Sequence, residues 1–142
     1  MACEIADTRG VAVASLDVVR SIYDGWQRGD FSREDWAHPE IDFVYVGGPE
    51  PAAGTGIAAM NELWGEWLRD WVDFRAVPLE YRVLEEDRIL VLVRNLGRGR
   101  LSGVDLDERS VGNYFELEDG LVRRLVVYLD GARALADLGL EA

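Results

Sequence analysis

Apolar residues recur at helical spacing between positions 18 and 26. Val18, Val19, Ile22, Tyr23 and Trp26 fall on one stripe. The i, i+4, i+8 pattern predicts a helix with one buried face. Ser15 stands where its N-cap belongs, and Gly29 follows Arg28 as a C-terminal stop. Ser32, with Asp35 three residues on, has the form of a capping box, so a short second helix is expected there. His38-Pro39 ends it, since the residue before proline avoids the helical region. IDFVYVGG, residues 41–48, is β-branched and aromatic and closes on glycine, which predicts a strand. GGPEPAAGTG reads as a loop. Thr55 is expected to cap a third helix that carries Ile57, Met60, Trp64, Trp67, Leu68 and Trp71 mostly on one face.

After Trp71 the pattern becomes that of long strands, expected at about 73–84, 88–100, 104–117 and 121–129. Turn signals at Glu86-Asp87, Ser102-Gly103 and Asp119-Gly120 separate them. Hairpin connections imply an antiparallel meander. Asp130-Gly131 leads into a short final helix ending near Gly139. Helices first and strands afterwards define an α+β domain with helices packed on one face of a curved sheet. Such a sheet leaves a concave interior, where small ligands usually sit. Residues 1–12 read as a flexible leader and 13–142 as a single domain.

Composition narrows the function classes. Nearly half of the 142 residues are hydrophobic, with five Trp, five Tyr and four Phe, enough for a substantial core and too many for disorder. The formal charge of −12, from 27 acidic and 15 basic residues, repels phosphate backbones and anionic lipid. Nucleic acid and membrane are therefore not expected as partners. The lone Cys3 rules out a disulfide within the chain, and with a single histidine, His38, no metal site is expected. The N-terminal segment carries acids and lacks a long apolar run, so it does not read as a signal peptide. A cytoplasmic protein without a cofactor is expected.

Four segments together resemble a known family. VVRSIYDGWQRGDF resembles the first helix, HPEIDFVYVGG the first strand and Gly54 to Trp71 the third helix of the SnoaL-like branch of the nuclear transport factor 2-like superfamily. RSVGNYFELEDGLVRRLVVYLDGARAL resembles its last hairpin and exit into a terminal helix. The resemblance spans roughly residues 15–140 and implies a cone-shaped fold: a strongly curved, mostly antiparallel sheet wrapped around the N-terminal helices. The family hosts ketosteroid isomerases, polyketide cyclases, epoxide hydrolases, dehydratases and non-enzymatic modules, so it does not fix a function. In ketosteroid isomerases the first-helix tyrosine, the first-strand aspartate base and the aspartic acid of the penultimate strand align with Ile22, Val44 and Asn113 here. Tyr23 and Asp42 stand close to the first two. The epoxide-hydrolase aspartate of the last strand aligns with Val127. Of these positions only Asn113 carries a group suited to the chemistry.

Strand parity gives a second route to a site. A turn centred on Ser102-Gly103 sets Asn113 opposite Leu92 and Val111 opposite Arg94. Leu92, Arg94, Asn113, Phe115 and Val127 then share one mostly apolar face. Polar groups on such a face are expensive unless paired, so Arg94 and Asn113 mark a site. A register one residue away puts Arg94 in solvent instead. Asp42 either faces inward as a partner of Arg94 and a general base, or is a surface aspartate at a strand start. His38 is either an acid or base at the mouth of the cavity or a structural residue of its helix exit. Tyr23, Trp26, Trp64 and Trp67 wall a ligand cavity or form plain core.

The expected catalytic set is thus Asp42, Arg94 and Asn113, and the expected ligand-binding set is Tyr23, Trp26, Trp64, Trp67, Leu92, Phe115 and Val127. The expected function is a SnoaL-like domain that binds a small hydrophobic molecule. The alternative is an isomerase, cyclase or dehydratase that moves a proton on a polyketide-like or steroid-like substrate. Strand 88–93 is apolar on both faces, which predicts a homodimer packed through the outer face of the sheet.

Overall fold

Apart from its ends, the meander forms as its turn signals predict. The computed structural model describes residues 2–46 and 52–140. Along the chain these form α1 (Ala2–Trp26), β1 (Ala37–Val46), β2 (Ala52–Thr55), α2 (Ile57–Arg69), β3 (Trp71–Glu85), β4 (Arg88–Gly99), β5 (Asp105–Glu118), β6 (Leu121–Tyr128) and α3 (Gly131–Asp137). The strands make one sheet in the order β2-β1-β6-β5-β4-β3. β3 to β6 are antiparallel neighbours, β1 runs parallel to β6, and β2 closes the edge antiparallel to β1. Asp119 and Gly120 both have positive φ, 53° and 80°. That is the twist a two-residue hairpin turn requires. The class is α+β and the curved, open sheet is that of a cone.

The sheet has two different faces. Inward lie Ile41 and Phe43 of β1, Val91 and Val93 of β4, Phe115 of β5, and Leu125 and Val127 of β6. They pack with the α1 stripe of Val19, Ile22, Tyr23 and Trp26 and with Met60, Trp64 and Trp67 of α2. The opposite face buries Leu90, Tyr114, Val126 and Tyr128 beneath Ala134 of α3. The helices therefore cover both faces. Asp130 caps α3 by accepting the Ala132 N–H at 3.0 Å. Gly112 lets α3 sit close: a Cβ there would come 3.2 Å from the Ala134 Cβ.

Four local expectations are corrected. α1 begins at Ala2, so most of the expected leader is helical and Ser15 lies buried inside the helix rather than at its cap. No helix forms at 32–38. Asp30 instead accepts both the backbone N–H and the hydroxyl of Ser32, Arg33 pairs with Asp35, and β1 starts early at Ala37. Side-chain turns of this kind compete with helix initiation. The cap of α2 is Gly56, while Thr55 belongs to β2 and gives its hydroxyl to Asp42. The expected loop is a strand over Ala52–Thr55, and its residues 47–51 lie outside the described ones.

Gly112→Val is expected to lower the unfolding free energy by about 1–3 kcal/mol through overpacking against α3. Urea denaturation measures this. Unchanged stability would show that α3 does not depend on the close approach.

Candidate functional site

A hydrogen-bonded polar pair sits in the apolar interior. Tyr23 comes from α1, where its position in the stripe turns it onto the sheet; it is fully buried. Asn113, 3% exposed, comes from β5 between Val91 of β4 and Val127 of β6. The Asn113 Nδ2 donates to the Tyr23 hydroxyl at 2.8 Å. The Asn113 Oδ1 is buried without a partner. The phenol keeps its own proton to donate, so the two side chains offer the phenolic O–H as a donor and Oδ1 as an acceptor. Burial pushes the Tyr23 phenol well above its ordinary value; the Asn113 hydrogen bond opposes the shift and Tyr81 adds to it. Tyr23 is thus neutral at physiological pH.

Aromatic rings surround this pair. Trp26, Phe115 and Tyr81 meet Tyr23 edge to face at 5.1, 6.0 and 6.1 Å. Beyond them Trp64 lies 5.5 Å from Trp26 and stacks on Tyr45 at 6.2 Å. The Tyr45 hydroxyl is buried and unpartnered, and burial raises its pKa. The rings leave little space. The void bordered by Trp26, Phe31, Phe43 and Trp64 holds only about 10 Å³, roughly enough for one water. Of the expected ligand-binding residues, Tyr23, Trp26, Trp64, Trp67, Phe115 and Val127 do gather in this interior.

Leu92, Arg94 and Asp42 do not. β4 pairs Val91 with Asn113 and Val93 with Val111, one residue away from the register expected from the turn. The β4–β5 connection occupies residues 100–104, and a bulge opposite Arg94 shifts the pairing again. One residue of slip exchanges the faces. Val93 and Asn95 therefore point inward, 0% and 7% exposed. Arg94 points outward and makes a two-pronged pair with Asp107 at 2.7 and 2.8 Å. Leu92 joins the outer cluster beneath α3. Asp42 faces outward between Ile41 and Phe43, accepts the Thr55 hydroxyl at 2.9 Å and lies 3.6 Å from Arg123. The expected Asp42–Arg94–Asn113 set is thus not assembled. His38 accepts the Glu40 N–H on Nδ1, a local turn contact.

Sequence reasoning missed Tyr45, Phe31 and Phe43. Alternation along β1 from the buried Ile41 would have placed Phe43 and Tyr45 inward. Phe31 has no such signal, because it lies in an irregular segment. Among the described residues the buried polar side chains are Ser15, Asn95 and Asn113, with no carboxylate. Among the described residues no helix is long and apolar enough to cross a membrane.

Neither a protein-family model nor a curated protein matches the sequence. The fold does match solved structures. A SnoaL-like polyketide-cyclase homologue from Jannaschia sp. CCS1 superposes with a TM-score of 0.71 at 18% identity, over 87% of this chain and 90% of that one. A nuclear transport factor 2-like protein of unknown function from Burkholderia pseudomallei gives 0.71 at 16% identity, over 87% and 95%. TerC, co-crystallised with polyporic acid, gives 0.67 at 19% identity, over 88% and 97%. The chain therefore has the nuclear transport factor 2-like, SnoaL-like fold.

The raised Tyr23 pKa carries a pH dependence. Its stabilising contribution is fully present below the unfolded phenol value of about 10 and is lost as pH climbs from there toward the folded value. Thermal unfolding between pH 8 and 11.5 should show stability falling at the alkaline end, with a shallower fall in Tyr23→Phe. An identical slope in the variant would remove Tyr23 from the effect.

Proposed function

We propose that the protein binds a small hydrophobic molecule in the aromatic interior of the cone, with Tyr23 and Asn113 as the polar anchor. The observation that carries this reading is the buried pair with its open acceptor, Asn113 Oδ1, in an otherwise apolar interior. A group of this kind is expensive to leave unpaired, and a ligand bearing a carbonyl and a hydroxyl would take both the phenolic proton and the amide oxygen. The fold resemblance is in keeping with a small-molecule ligand, since TerC was co-crystallised with polyporic acid.

The enzymatic reading, proton transfer on a polyketide-like or steroid-like substrate, is favoured by one feature. Asn113 aligns with the oxyanion-donor aspartic acid of ketosteroid isomerases, and Tyr23 is next to the position of their first-helix tyrosine. The pair lacks the base. The inward residues of β1 are Ile41, Phe43 and Tyr45, and Val44 lies with the outer cluster. Without a positioned base the step loses about 10²–10⁴-fold, so binding without turnover is the preferred reading.

The interior is too full for a drug-sized ligand as it stands, so binding requires rings to move. Phe31 and Trp64 are half-buried and border the void, which makes them the movable ones. Binding is tested with a flat hydrophobic hydroxyketone against its parent hydrocarbon, read by tryptophan fluorescence. Tyr23→Phe and Asn113→Leu should each weaken hydroxyketone binding about tenfold and leave the hydrocarbon unchanged. Equal effects on both compounds would reduce the pair to a structural role.

Homodimerisation through the outer face belongs to the same proposal. α3 covers only the β4–β6 part of that face. Sedimentation at micromolar concentration should give a species of twice 15.9 kDa. A monomer would mean that α3 alone supplies the cover.

A further inference from the structure

Most described arginines are engaged within the chain. Arg33, Arg88, Arg94, Arg123 and Arg133 meet carboxylates, Arg100 donates to the carbonyls of Arg69 and Trp71, and Arg20 lies over the Tyr81 ring. In a chain with 27 acidic residues this is the expected outcome. Two of the arginines that make no hydrogen bond or ion pair, Arg28 and Arg75, border one cleft of about 850 Å³. That volume lies within the range of small-molecule sites, about 300–1,000 Å³. The residues around it do not include Tyr23 or Asn113.

The cleft is built rather than incidental. One wall is the β3 bulge, where Val72 pairs with Arg98 and Arg75 with Leu96, so that Asp73 and Phe74 oppose Gly97 alone. Bulges re-aim side chains and concentrate beside sites. Asp73 takes a left-handed φ of 54°, strain that persists only where the surroundings impose it. Gly97 permits the bulge, since a Cβ there would come 3.3 Å from the Phe74 Cα. Gly29, with φ of 83°, brings the chain after α1 against the same bulge, where its Cβ would meet the Phe74 carbonyl and the Arg75 stem. Phe31, Leu68, Trp71 and Phe74 supply an apolar wall. The Trp71 indole N–H is buried without a partner.

From this arrangement we infer that the cleft between Gly29–Ser32, the end of α2 and the β3 bulge binds a flat aromatic monocarboxylate. The ring lies on Phe31, Trp71 and Phe74, and the carboxylate lies between the guanidinium groups of Arg28 and Arg75. Guanidinium forks match a carboxylate in geometry as well as charge. Asp30 also borders the cleft; its hydrogen bonds hold it to Ser32, and the Arg28 charge reaches it only as a weaker electrostatic influence. Asp73 keeps the cleft from holding a second negative charge, which selects a monoanion over a dianion.

Naphthoate and the neutral naphthalenemethanol are the probes, titrated calorimetrically into the full chain. Naphthoate should bind, and Arg28→Met and Arg75→Met should each weaken it about tenfold; added salt should weaken it as well. Naphthalenemethanol should bind more weakly to the wild type and equally to wild type and variants. Circular dichroism checks that the variants fold, and the comparison of the two probes on the wild type stands even if they do not. Amide chemical shifts on naphthoate addition should move at 28–32 and 71–75. No binding at millimolar naphthoate, equal affinity for the two probes, arginine variants without effect, or shifts centred on Asn113 and Val127 would each overturn the inference. The last outcome would place the ligand in the interior instead.

Discussion

The bulge opposite Arg94 decides what the interior of this protein is made of. Between the Val93–Val111 and Asn95–Glu108 pairs, β5 spends one residue more than β4. With the pairing set in this way, Val91, Val93 and Asn95 look inward, and Leu90, Leu92 and Arg94 look outward. Because side chains alternate strictly along a strand, there is no intermediate arrangement. An arginine in the aromatic interior would need a counter-charge that the interior does not contain. Outward, Arg94 finds Asp107 on the neighbouring strand. The register is thus held from both sides, by burial of valines on one face and by a forked ion pair on the other.

Given that register, Asn113 is the one β5 residue that brings an amide to the α1 tyrosine. The interior around them is aromatic, and edge-to-face rings at 5–6 Å contribute about 0.5–1.5 kcal/mol each beyond the area they bury. Against that background the unmatched Asn113 Oδ1 carries a desolvation cost of about 1–3 kcal/mol. A leucine of similar size would avoid it. The same reasoning applies to the Tyr45 hydroxyl, held under Trp64 without an acceptor. Two unmatched polar groups in one aromatic interior point to a use for them beyond holding the fold.

The legible parts of the sequence were those governed by local rules. The α1 stripe, the α2 tryptophans, the Asp119-Gly120 turn and the Asp130 cap all follow from period, turn chemistry or capping, and the fold class follows from their order. The site was most legible where it rests on helices. Tyr23, Trp26, Trp64 and Trp67 face the interior because helical period alone turns them there. On the strands the argument depended on counting residues from a turn, and that count failed twice. The Ser102-Gly103 signal sits inside a longer connection, and the bulge at Arg94 leaves no mark in the sequence. Phe115 and Val127 share the inward face with Asn113 because a bulge just beyond the Asp119-Gly120 turn sets Phe115 opposite Leu125 and Asn113 opposite Val127. The absent helix at 32–38 has a different cause, since the Ser32 and Asp35 side chains bond to near neighbours before a helix can start.

The chemistry and the space are in different places. The polar anchor at Tyr23 and Asn113 is enclosed by rings, with about 10 Å³ beside them at Trp26 and Trp64. Close-packed interiors do not expand continuously; a ring leaves its well or stays in it. The rings that can leave are those with a solvent side and a pliable backbone. Phe31 meets both conditions, being half-buried on the irregular segment between α1 and β1. It also borders both the small void and the large cleft. Tyr23, Phe43 and Phe115 meet neither, since each is fully enclosed and held by a regular element. On the proposed reading the loop residue Phe31 moves first, and the size of what enters follows from how far its stack with Trp26, 5.8 Å between centroids, opens.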